Sequence, residues 1–363
     1  MQMLKDFFLM LSDFIVKNPL IWICCLASFV LSSVFIPIII KLCKKHGWYD
    51  SVNARKVHKG NIPRLGSMGF VPAFTIMMAV YVLIVRDSSK TMIPFVIAGF
   101  VIFVFGIIDD FLDLRAIVKL FIQIIAALIV LIGGFRFKQF YIWTIPASLG
   151  YLITFCWIIG IINAYNLIDG VDGLCGGLSA ITFLALGIIY SRSVTDTAAA
   201  CFILIAAICG FLLYNKPKAK IFMGDGGSQF LGFMIAALPL YQTTATFETN
   251  KFFIVINLVS IPLIDCIAAI WRRIRDHRGI MSPDRSHLHH KLMNMGCSVG
   301  QILLILLGLQ SVICIMCGIA MALKGTAALV LLICTFAGVN VFFCAIHYAN
   351  RAVIQKQKVL EEK

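Results

Sequence analysis

Charged residues are scarce in this sequence, and long polar stretches are missing. Only 13% of the 363 residues are charged, whereas 61% are apolar and the mean hydropathy is +0.96. Soluble domains have about 25% charged and about 45–50% apolar residues. The composition therefore excludes a soluble enzyme, a disordered chain, a coiled coil and a collagen. The apolar runs also lack the period-two alternation that is typical of a transmembrane β-barrel.

The long apolar runs predict an all-α, polytopic membrane protein. A spanning helix needs about 20 apolar residues, and we count about eleven runs of this kind. They lie near residues 20–40, 66–85, 93–108, 116–134, 147–164, 174–190, 198–214, 229–243, 253–271, 300–323 and 326–348. We expect residues 1–363 to form a single membrane domain. Residues 3–15 predict an amphipathic helix at the membrane surface, and not a cleaved signal peptide.

Basic residues predict the orientation of this bundle. The sequence contains 31 Lys and Arg against 17 Asp and Glu, and most of the basic residues fall in the odd-numbered loops and the C-terminal tail. The positive-inside rule places such loops in the cytoplasm, so we expect the N-terminus outside and the C-terminus inside. A basic soluble face is missing, which argues against a nucleic acid partner. The cytoplasmic loops expected to form a site span residues 41–65, 109–119, 163–173, 215–228 and 272–299.

The carboxylates and histidines collect on the same predicted side of the membrane. They lie near the ends of the predicted helices, whereas a transporter is expected to carry ionisable groups near the middle of its helices. This distribution favours an enzyme that works at the cytoplasmic surface. A transporter or flippase for lipid-linked sugars is the alternative from another functional class.

The first motif is a group of three aspartates, Asp109, Asp110 and Asp113, at the end of the third predicted segment. On a continuous helix Asp109 and Asp113 share a face, and Asp110 is turned about 100° away. Carboxylates so close together repel one another unless a cation lies between them. Lys119 follows on the next segment, where its ammonium group can hold a phosphate.

The second motif ends the fifth predicted segment. Asn163 and Asn166 stack on one helical face, and Asp169 and Asp172 each precede a glycine that ends the helix in turns. Amide and carboxylate oxygens are hard ligands that suit Mg²⁺. A plain helix stop explains the glycines, but it does not explain two asparagines inside an otherwise apolar helix.

The third motif precedes the eighth predicted segment, where residues 222–228 read Phe-Met-Gly-Asp-Gly-Gly-Ser. A glycine-rich turn at a helix N-terminus leaves backbone N–H groups exposed, which predicts a phosphate site. Asp225 would repel a phosphate unless it held a metal ion, and Phe222 is suited to stacking on a base. Alone, this motif is weak, because glycine-rich turns are common.

The fourth motif combines a carboxylate with basic residues. Asp265 lies seven residues before Arg272, and so about 10 Å deeper along the helix. Arg273 follows, and three histidines then fall within four residues, at His287, His289 and His290. Histidines at this spacing do not converge on one point of a helix, so an anionic ligand is favoured over zinc. A basic loop against anionic lipids explains the arginines but not the histidines.

The first cytoplasmic loop carries Lys56 and His58, followed by Pro-Arg-Leu-Gly at residues 63–66. Anchoring by the positive-inside rule explains these basic residues equally well. Across all five motifs, the carboxylates favour binding of a divalent cation and the basic residues favour binding of an anion. A metal-bridged diphosphate satisfies both, and the apolar surroundings indicate a lipid as the second substrate.

Four of these motifs, in this order, resemble the polyprenyl-phosphate N-acetylhexosamine-1-phosphate transferases. They are Asp-Asp-x-x-Asp from residue 109, Asn-Ala-x-Asn-x-x-Asp-Gly-x-Asp-Gly from residue 163, Phe-Met-Gly-Asp-x-Gly-Ser from residue 222 and Ser-Pro-Asp-Arg-x-His-x-His-His from residue 282. The resemblance extends from about residue 45 to about residue 295. The last motif is similar to the branch that uses UDP-N-acetylglucosamine and undecaprenyl phosphate. The branch that transfers phospho-muramoyl-pentapeptide has a different histidine run.

The resemblance implies catalytic and metal-binding roles. Asp109 or Asp110 would be the base that deprotonates or orients the lipid phosphate, with Asp109 favoured and Asp110 near the metal. Lys119 would contact the diphosphate. Asn166 and Asp225 would ligate Mg²⁺, for which Mn²⁺ is an alternative.

The resemblance also implies substrate contacts. Phe222 would stack on uracil, and Asp172 would hydrogen-bond to the edge of the base. Residues expected at the sugar-phosphate end are Arg272, Arg273, His287, His289 and His290, and Asp169 is a further expected substrate contact. Five residues match the pattern without a defined role: Asp113, Asn163, Asp265, Lys56 and His58.

The reaction implied is transfer of N-acetylglucosamine-1-phosphate from UDP-N-acetylglucosamine to undecaprenyl phosphate, with release of UMP. It would be the first membrane step of a cell-envelope glycan, such as lipopolysaccharide or teichoic acid. The resemblance further implies a bacterial cytoplasmic (inner) membrane location, a site facing the cytoplasm, contact with membrane lipids and a homodimer.

Several alternatives differ in substrate or in chemistry. The same reaction with UDP-N-acetylgalactosamine or UDP-N-acetylmuramoyl-pentapeptide stays open. A phosphotransferase of the CDP-alcohol type needs Asp-Gly-x-x-Ala-Arg, but Gly173 and Leu174 follow Asp172 here. A zinc protease needs His-Glu-x-x-His, which is also missing from the sequence.

Overall fold

The chain folds almost entirely into helices in a computed structural model that describes residues 2–49, 62–85, 89–241, 244–279, 282, 284, 286–323 and 325–361. The α-helices are α1 (Gln2–Lys17), α2 (Pro19–His46), α3 (Ser67–Val85), α4 (Ser89–Leu112), α5 (Ala116–Ile132), α6 (Ala147–Ile168), α7 (Leu174–Tyr190), α8 (Thr195–Asn215), α9 (Asp225–Ala237), α10 (Ala245–Leu258), α11 (Ser260–Arg275), α12 (Leu288–Asn294), α13 (Val299–Ala322) and α14 (Thr326–Glu361). A 3₁₀ turn at Leu238–Leu240 follows α9, and β1 (Gln139–Phe140) pairs with β2 (Trp143–Thr144).

Every predicted apolar segment coincides with a helix or with a pair of helices, which confirms the all-α, polytopic fold class. In the part of the chain that the structure describes, seven helices are long and apolar enough to cross a membrane, namely α2, α3, α4, α6, α8, α13 and α14. The α10–α11 pair makes an eighth if it counts as one span. Helices α5 and α7 have 17 residues each and α9 has 13. The number of spans and their orientation stay predictions.

The predicted segment near residues 253–271 is broken in the middle. Helices α10 and α11 are bent by 64° relative to each other. Pro262 lies in the first turn of α11 and has no N–H for the carbonyl of Leu258. The side chain of Gln310 supplies the missing donor, because its Nε2 lies 2.8 Å from Leu258 O. A proline thus redirects α11, which carries several predicted site residues.

Helix α9 lies at the centre of the bundle and is almost entirely buried between α3, α4 and α6. Gly106 of α4 faces Gly226, and Gly232 faces the backbone of Ile162 in α6, with no space for a side chain at either glycine. Helices approach this closely where small residues meet. These contacts fix the start of α9 between the ends of α4 and α6.

A short backbone pairing brings the segment before α3 to the same place. Phe222 N–H donates to Pro63 O at 2.7 Å, and Gly66 N–H donates to Phe222 O at 2.9 Å. Ser67 N–H donates to the carbonyl of Met223 at 3.0 Å. The pairing carries the side chain of Arg64 to the N-terminus of α9.

Candidate active site

Three carboxylates and two cations meet where α4 ends and α9 begins. We call Asp109, Asp110, Asp225, Arg64 and Lys119 the carboxylate cluster. Lys119 Nζ lies 2.6 Å from Asp109 Oδ2 and 2.8 Å from Asp225 Oδ2. Arg64 pairs with Asp110 at 3.1 Å and with Asp225 at 3.3 Å. The cluster thus combines three carboxyl groups with two cationic side chains.

Asp110 holds the first turn of α9. Its Oδ1 accepts hydrogen bonds from Asp225 N–H at 2.8 Å and from Arg64 Nε at 3.1 Å, and its Oδ2 accepts one from Gly226 N–H at 3.2 Å. The side chain is 0% exposed. Gly224, which precedes α9, has φ 78°, and a side chain there would collide with Asp110 and with the carbonyl of Arg64. Asp110 therefore acts as the cap of α9.

The prediction that the glycine-rich turn exposes backbone N–H groups to a phosphate is wrong. The N–H groups of Asp225 and Gly226 donate to Asp110. The next two N–H groups, of Gly227 and Ser228, donate to Gly224 O at 3.1 Å each. All four amide donors of the first turn of α9 are thus used inside the protein.

Asp109 and Asp113 do not share a face as predicted. Helix α4 ends at Leu112, and Asp113 has φ 49° with its side chain exposed to solvent. Asp109 instead turns inward, where its Oδ1 accepts a hydrogen bond from Leu114 N–H at 2.8 Å and its Oδ2 pairs with Lys119. The left-handed residue after the helix end turns the chain away, so Asp113 does not join the cluster.

The two asparagines of α6 make different contacts. Asn166 Oδ1 accepts a hydrogen bond at 2.8 Å from the hydroxyl of Ser228, which lies one turn after Asp225 on α9. Asn163 Nδ2 donates to Gln123 Oε1 at 2.6 Å, deeper in the bundle. Asn166 therefore borders the carboxylate cluster, whereas Asn163 lies beneath it.

The donor atoms of this cluster fit a Mg²⁺ ion. The described residues include no group of three or more His, Cys, Asp and Glu that would form a complete protein cage. Mg²⁺ does not need one, since it keeps several waters and binds one or two carboxylates together with substrate phosphates. The ammonium of Lys119 lies between Asp109 and Asp225, so this space already accommodates a positive charge. Asn166 adds an amide oxygen nearby.

The turn between α6 and α7 connects this cluster to the rest of the site. Burial, with a contribution from the carboxylate of Asp225, raises the pKa of Asp169 to about 7. Asp172 is buried, and its Oδ2 accepts a hydrogen bond from Ala219 N–H at 3.0 Å. Gly170 packs directly against the ring of His289, with no space for a side chain.

A second group forms around α11 and α12, and we call Asp265, His287, His289 and His290 the histidine cluster. Asp265 Oδ2 lies 2.9 Å from His287 Nδ1, and its Oδ1 accepts a hydrogen bond from Leu288 N–H at 2.9 Å. The rings of His287 and His289 stack with their centroids 5.9 Å apart. Burial, followed by the neighbouring His290, lowers the pKa of His289 to about 3, so its ring is neutral at pH 7.

The two predicted arginines differ in their contacts. Arg272 Nε and Nη2 donate to Asp284 Oδ2 at 3.0 and 2.6 Å. Burial opposes ionisation of Asp284, but the bonds from Arg272 and from Ser286 N–H, together with the charge of Arg272, outweigh it and lower the pKa of that carboxyl. Arg273 is buried, and its Nε has no hydrogen-bond partner within the described residues. Arg272 is thus bound to the loop, whereas Arg273 retains a free donor.

Of the remaining predicted residues, one lies near the carboxylate cluster and two lie outside the described part of the chain. Phe222 lies two residues before Gly224, with its backbone paired to the segment that carries Arg64. Lys56 and His58 lie outside the residues that the structure describes.

Sequence reasoning missed Arg64, Ser228, Gln123 and Gln229. The motif around Arg64 was visible, but its basic residues also fit membrane anchoring. Polar residues inside apolar runs were the available signal for the two glutamines.

Comparison with known proteins matches the central part of the chain to a family and identifies relatives along most of its length. Residues 92–243 match the family model described as "Glycosyl transferase family 4". The chain is 35% identical over 274 residues to a "Probable undecaprenyl-phosphate N-acetylglucosaminyl 1-phosphate transferase" of Bacillus subtilis (strain 168), which covers 73% of this chain and 75% of the relative. It is 30% identical over 282 residues to an "Undecaprenyl-phosphate alpha-N-acetylglucosaminyl 1-phosphate transferase" of Escherichia coli (strain K12), which covers 75% and 76%. An enzyme of the same name from Yersinia pestis is 31% identical over 279 residues, covering 74% and 75%.

Proposed function

Because the chain belongs to the undecaprenyl-phosphate N-acetylglucosaminyl 1-phosphate transferases of glycosyl transferase family 4, we propose that it catalyses this transfer itself. The donor is UDP-N-acetylglucosamine, the acceptor is undecaprenyl phosphate, and the products are undecaprenyl-diphospho-N-acetylglucosamine and UMP. The observation that carries the proposal is the ammonium of Lys119 held between Asp109 and Asp225 at the end of a bundle of apolar helices.

In the proposed reaction one bond to phosphorus forms and another bond to the same phosphorus breaks. An oxygen of the lipid phosphate attacks the β-phosphorus of the UDP-sugar. The bond from this phosphorus to the bridging oxygen breaks, and the bridging oxygen leaves with UMP. Both substrates and the transition state carry several negative charges, so the site must supply positive charge where they meet.

The carboxylate cluster is suited to this task. Asp109 is positioned to orient the lipid phosphate and to accept its proton, since Asp110 is already used as the cap of α9. Lys119 and Arg64 provide two cations for the phosphates, and both side chains are about a fifth exposed. Asp225 and Asn166 would hold Mg²⁺, with Mn²⁺ as a substitute. When bound, the ion would neutralise charge on the diphosphate.

The histidine cluster and the α6–α7 turn are proposed to bind the nucleotide and the sugar. His289 is buried and neutral, so it would recognise its ligand by hydrogen bonding and not by charge. Arg273 retains a donor for a phosphate or a sugar hydroxyl. Phe222 and Asp172 remain the proposed contacts of uracil. We also propose the bacterial inner membrane, a cytoplasmic face for the site and a homodimer.

The test is a UMP-release assay with the purified protein in detergent. Undecaprenyl phosphate and Mg²⁺ are supplied with UDP-N-acetylglucosamine, UDP-N-acetylgalactosamine or UDP-N-acetylmuramoyl-pentapeptide in turn. We expect UMP release with UDP-N-acetylglucosamine alone, and none after EDTA. Release with another donor would keep the reaction and change the sugar. No release from any donor by folded protein would contradict the proposal and favour a transporter.

A further inference from the structure

Three amide side chains, two of them buried and that of Asn163 partly buried, join α5, α6 and α9 beneath the carboxylate cluster. Asn163 Nδ2 donates to Gln123 Oε1 at 2.6 Å, and Gln123 Nε2 donates to Gln229 Oε1 at 3.1 Å. Gln123 is 1% exposed and Gln229 is 5% exposed. We call these three residues the amide layer. None of them contacts the carboxylate cluster in a hydrogen bond or ion pair that the described structure records, so their effect on the site is indirect.

The amide layer repeats the order of the site one helical turn deeper. Gln123 lies four residues after Lys119 on α5, and Gln229 lies four residues after Asp225 on α9. Asn163 lies three residues before Asn166 on α6. Residues three or four apart occupy the same face of a helix, with about 5–6 Å between their Cβ atoms. A rotation or a shift of one of these helices therefore moves its amide and its site residue together.

Close glycine contacts already fix α9 against α4 and α6. Gly106 meets Gly226, and Gly232 meets the backbone of Ile162, so these helices have little freedom to slide or rotate. Helix α5 is held differently. It packs on α4 and α6, and its opposite face leaves large apolar side chains exposed at Ile117, Phe121, Leu128 and Ile132.

Apolar contacts alone tolerate small rotations of a helix, whereas a satisfied buried hydrogen-bond network specifies one arrangement. The amide layer supplies such a network to α5 through Gln123, which bonds to α6 on one side and to α9 on the other. A rotation of α5 would break both bonds. It would also move Lys119 Nζ out of the space between Asp109 and Asp225.

We propose that Gln123, Asn163 and Gln229 are positioning residues that hold α5 so that Lys119 stays between the two carboxylates. This inference rests on the proposed function, because it concerns the same site. A misplacement of about 1 Å can cost roughly 100-fold in rate, so a layer that never touches substrate is expected to control turnover.

The first test is a double-mutant cycle on kcat for UMP release. We expect Gln123→Leu to lower kcat roughly 10- to 100-fold with a much smaller change in KM. In a Lys119→Ala background the same substitution should change kcat little, because Lys119 is the group through which it acts. Equal effects of Gln123→Leu in both backgrounds would overturn the proposal. As a matched control, Asn257→Leu removes another buried amide between helices, whose Nδ2 lies 3.1 Å from Leu332 O, and should leave kcat unchanged.

A second variant separates positioning from stability. Gln123→Leu alone removes the donor of the buried Gln229 Oε1 and should lower Tm. Replacing Gln123, Asn163 and Gln229 together with leucine removes all partners at once, which is often close to neutral for stability. We expect Tm to recover in the triple variant and kcat to stay low. Recovery of kcat together with Tm would show a purely structural layer and would overturn the proposal.

A third measurement needs no enzymatic activity. Lys119 is held by two carboxylates and should react slowly with an amine-specific acylating reagent, as followed by peptide mass spectrometry. We expect faster acylation of Lys119 in Gln123→Leu, and the wild-type rate in Asn257→Leu. An unchanged rate in Gln123→Leu would overturn the positioning role. Absence of UMP release by the wild type, with faster acylation in the variant, would instead count against the proposed function alone.

Discussion

The carboxylate cluster and the histidine cluster are held together by different kinds of contact. The first gathers side chains from α4, α5, α9 and the segment before α3, and ion pairs between these elements hold it together. The second depends on one buried carboxylate, Asp265, which fixes the histidine side chain and the backbone amide that start α12. The first is therefore sensitive to how helices lie relative to each other, and the second to a single local contact.

The two clusters also differ in charge. The carboxylate cluster combines three carboxyl groups with two cationic side chains, which are about a fifth exposed, and this suits the neutralisation of phosphates and the binding of a metal ion. In the histidine cluster Asp265, His287 and His289 are buried, and His289 is neutral at pH 7. We therefore expect charge chemistry and hydrogen-bond recognition to be separated between the two clusters, which the turn around Gly170 connects in the contacts described above.

The largest effect should come from a carboxylate of the first cluster. Asp225→Asn keeps the size of the side chain but removes the charge that pairs with Lys119 and Arg64 and that would hold Mg²⁺. We expect kcat for UMP release to fall on the order of 1,000-fold. Asp13→Asn, which removes an exposed carboxylate paired with Lys17, is the matched control and should have wild-type kcat. Near-normal turnover by Asp225→Asn would mean that the cluster is not the reaction centre.

A comparison within the carboxylate cluster should separate its two buried aspartates. Asp110→Ala removes two N–H bonds and an ion pair at the start of α9, so we expect the free energy of unfolding to fall by about 1–3 kcal/mol. Asp109→Ala leaves Lys119 paired with Asp225, so stability should change less. Both variants should lose activity. Thermal unfolding in detergent measures the difference, and equal losses of stability would contradict the assignment of Asp110 as a cap.

Much of the fold could be predicted because apolar runs of the right length form helices in a membrane. The break in α10–α11 is missed by length alone, although Pro262 is its cause. The members of the carboxylate cluster could also be listed from their motifs. Their pairing could not, because Lys119 and Asp225 are 106 residues apart and local patterns contain no information on such contacts.

Two errors in the predicted site have a common origin. The shared face of Asp109 and Asp113 assumes that α4 continues, but the helix ends at Leu112. The phosphate site on α9 assumes that its first amides are free, but Asp110 and the carbonyl of Gly224 accept their hydrogen bonds. In both cases the error concerns which partner satisfies a helix end, which depends on tertiary contacts and not on propensity.

The histidine cluster should respond to loss of its single buried carboxylate with a binding defect. Asp265→Asn removes the negative charge beside His287 Nδ1 and keeps only one acceptor for two contacts. We expect KM for UDP-N-acetylglucosamine to rise about tenfold, equivalent to about 1.4 kcal/mol, with a small change in kcat. A kcat defect as large as that of Asp225→Asn, at unchanged KM, would mean that the two clusters do not divide binding and chemistry.

An effect of pH on stability is expected from the histidine cluster. An unfolded histidine binds a proton near pH 6.5, whereas burial lowers the pKa of folded His289 to about 3. As pH falls from 7 to 5, the unfolded state gains a proton that the folded state does not take up, so stability decreases by about 2 kcal/mol. His289→Gln removes this proton difference and should make Tm fall less over the same range. If the wild type and His289→Gln lost the same Tm between pH 7 and pH 5, His289 would not be a buried neutral residue, and recognition by hydrogen bonding at this cluster would have to be abandoned.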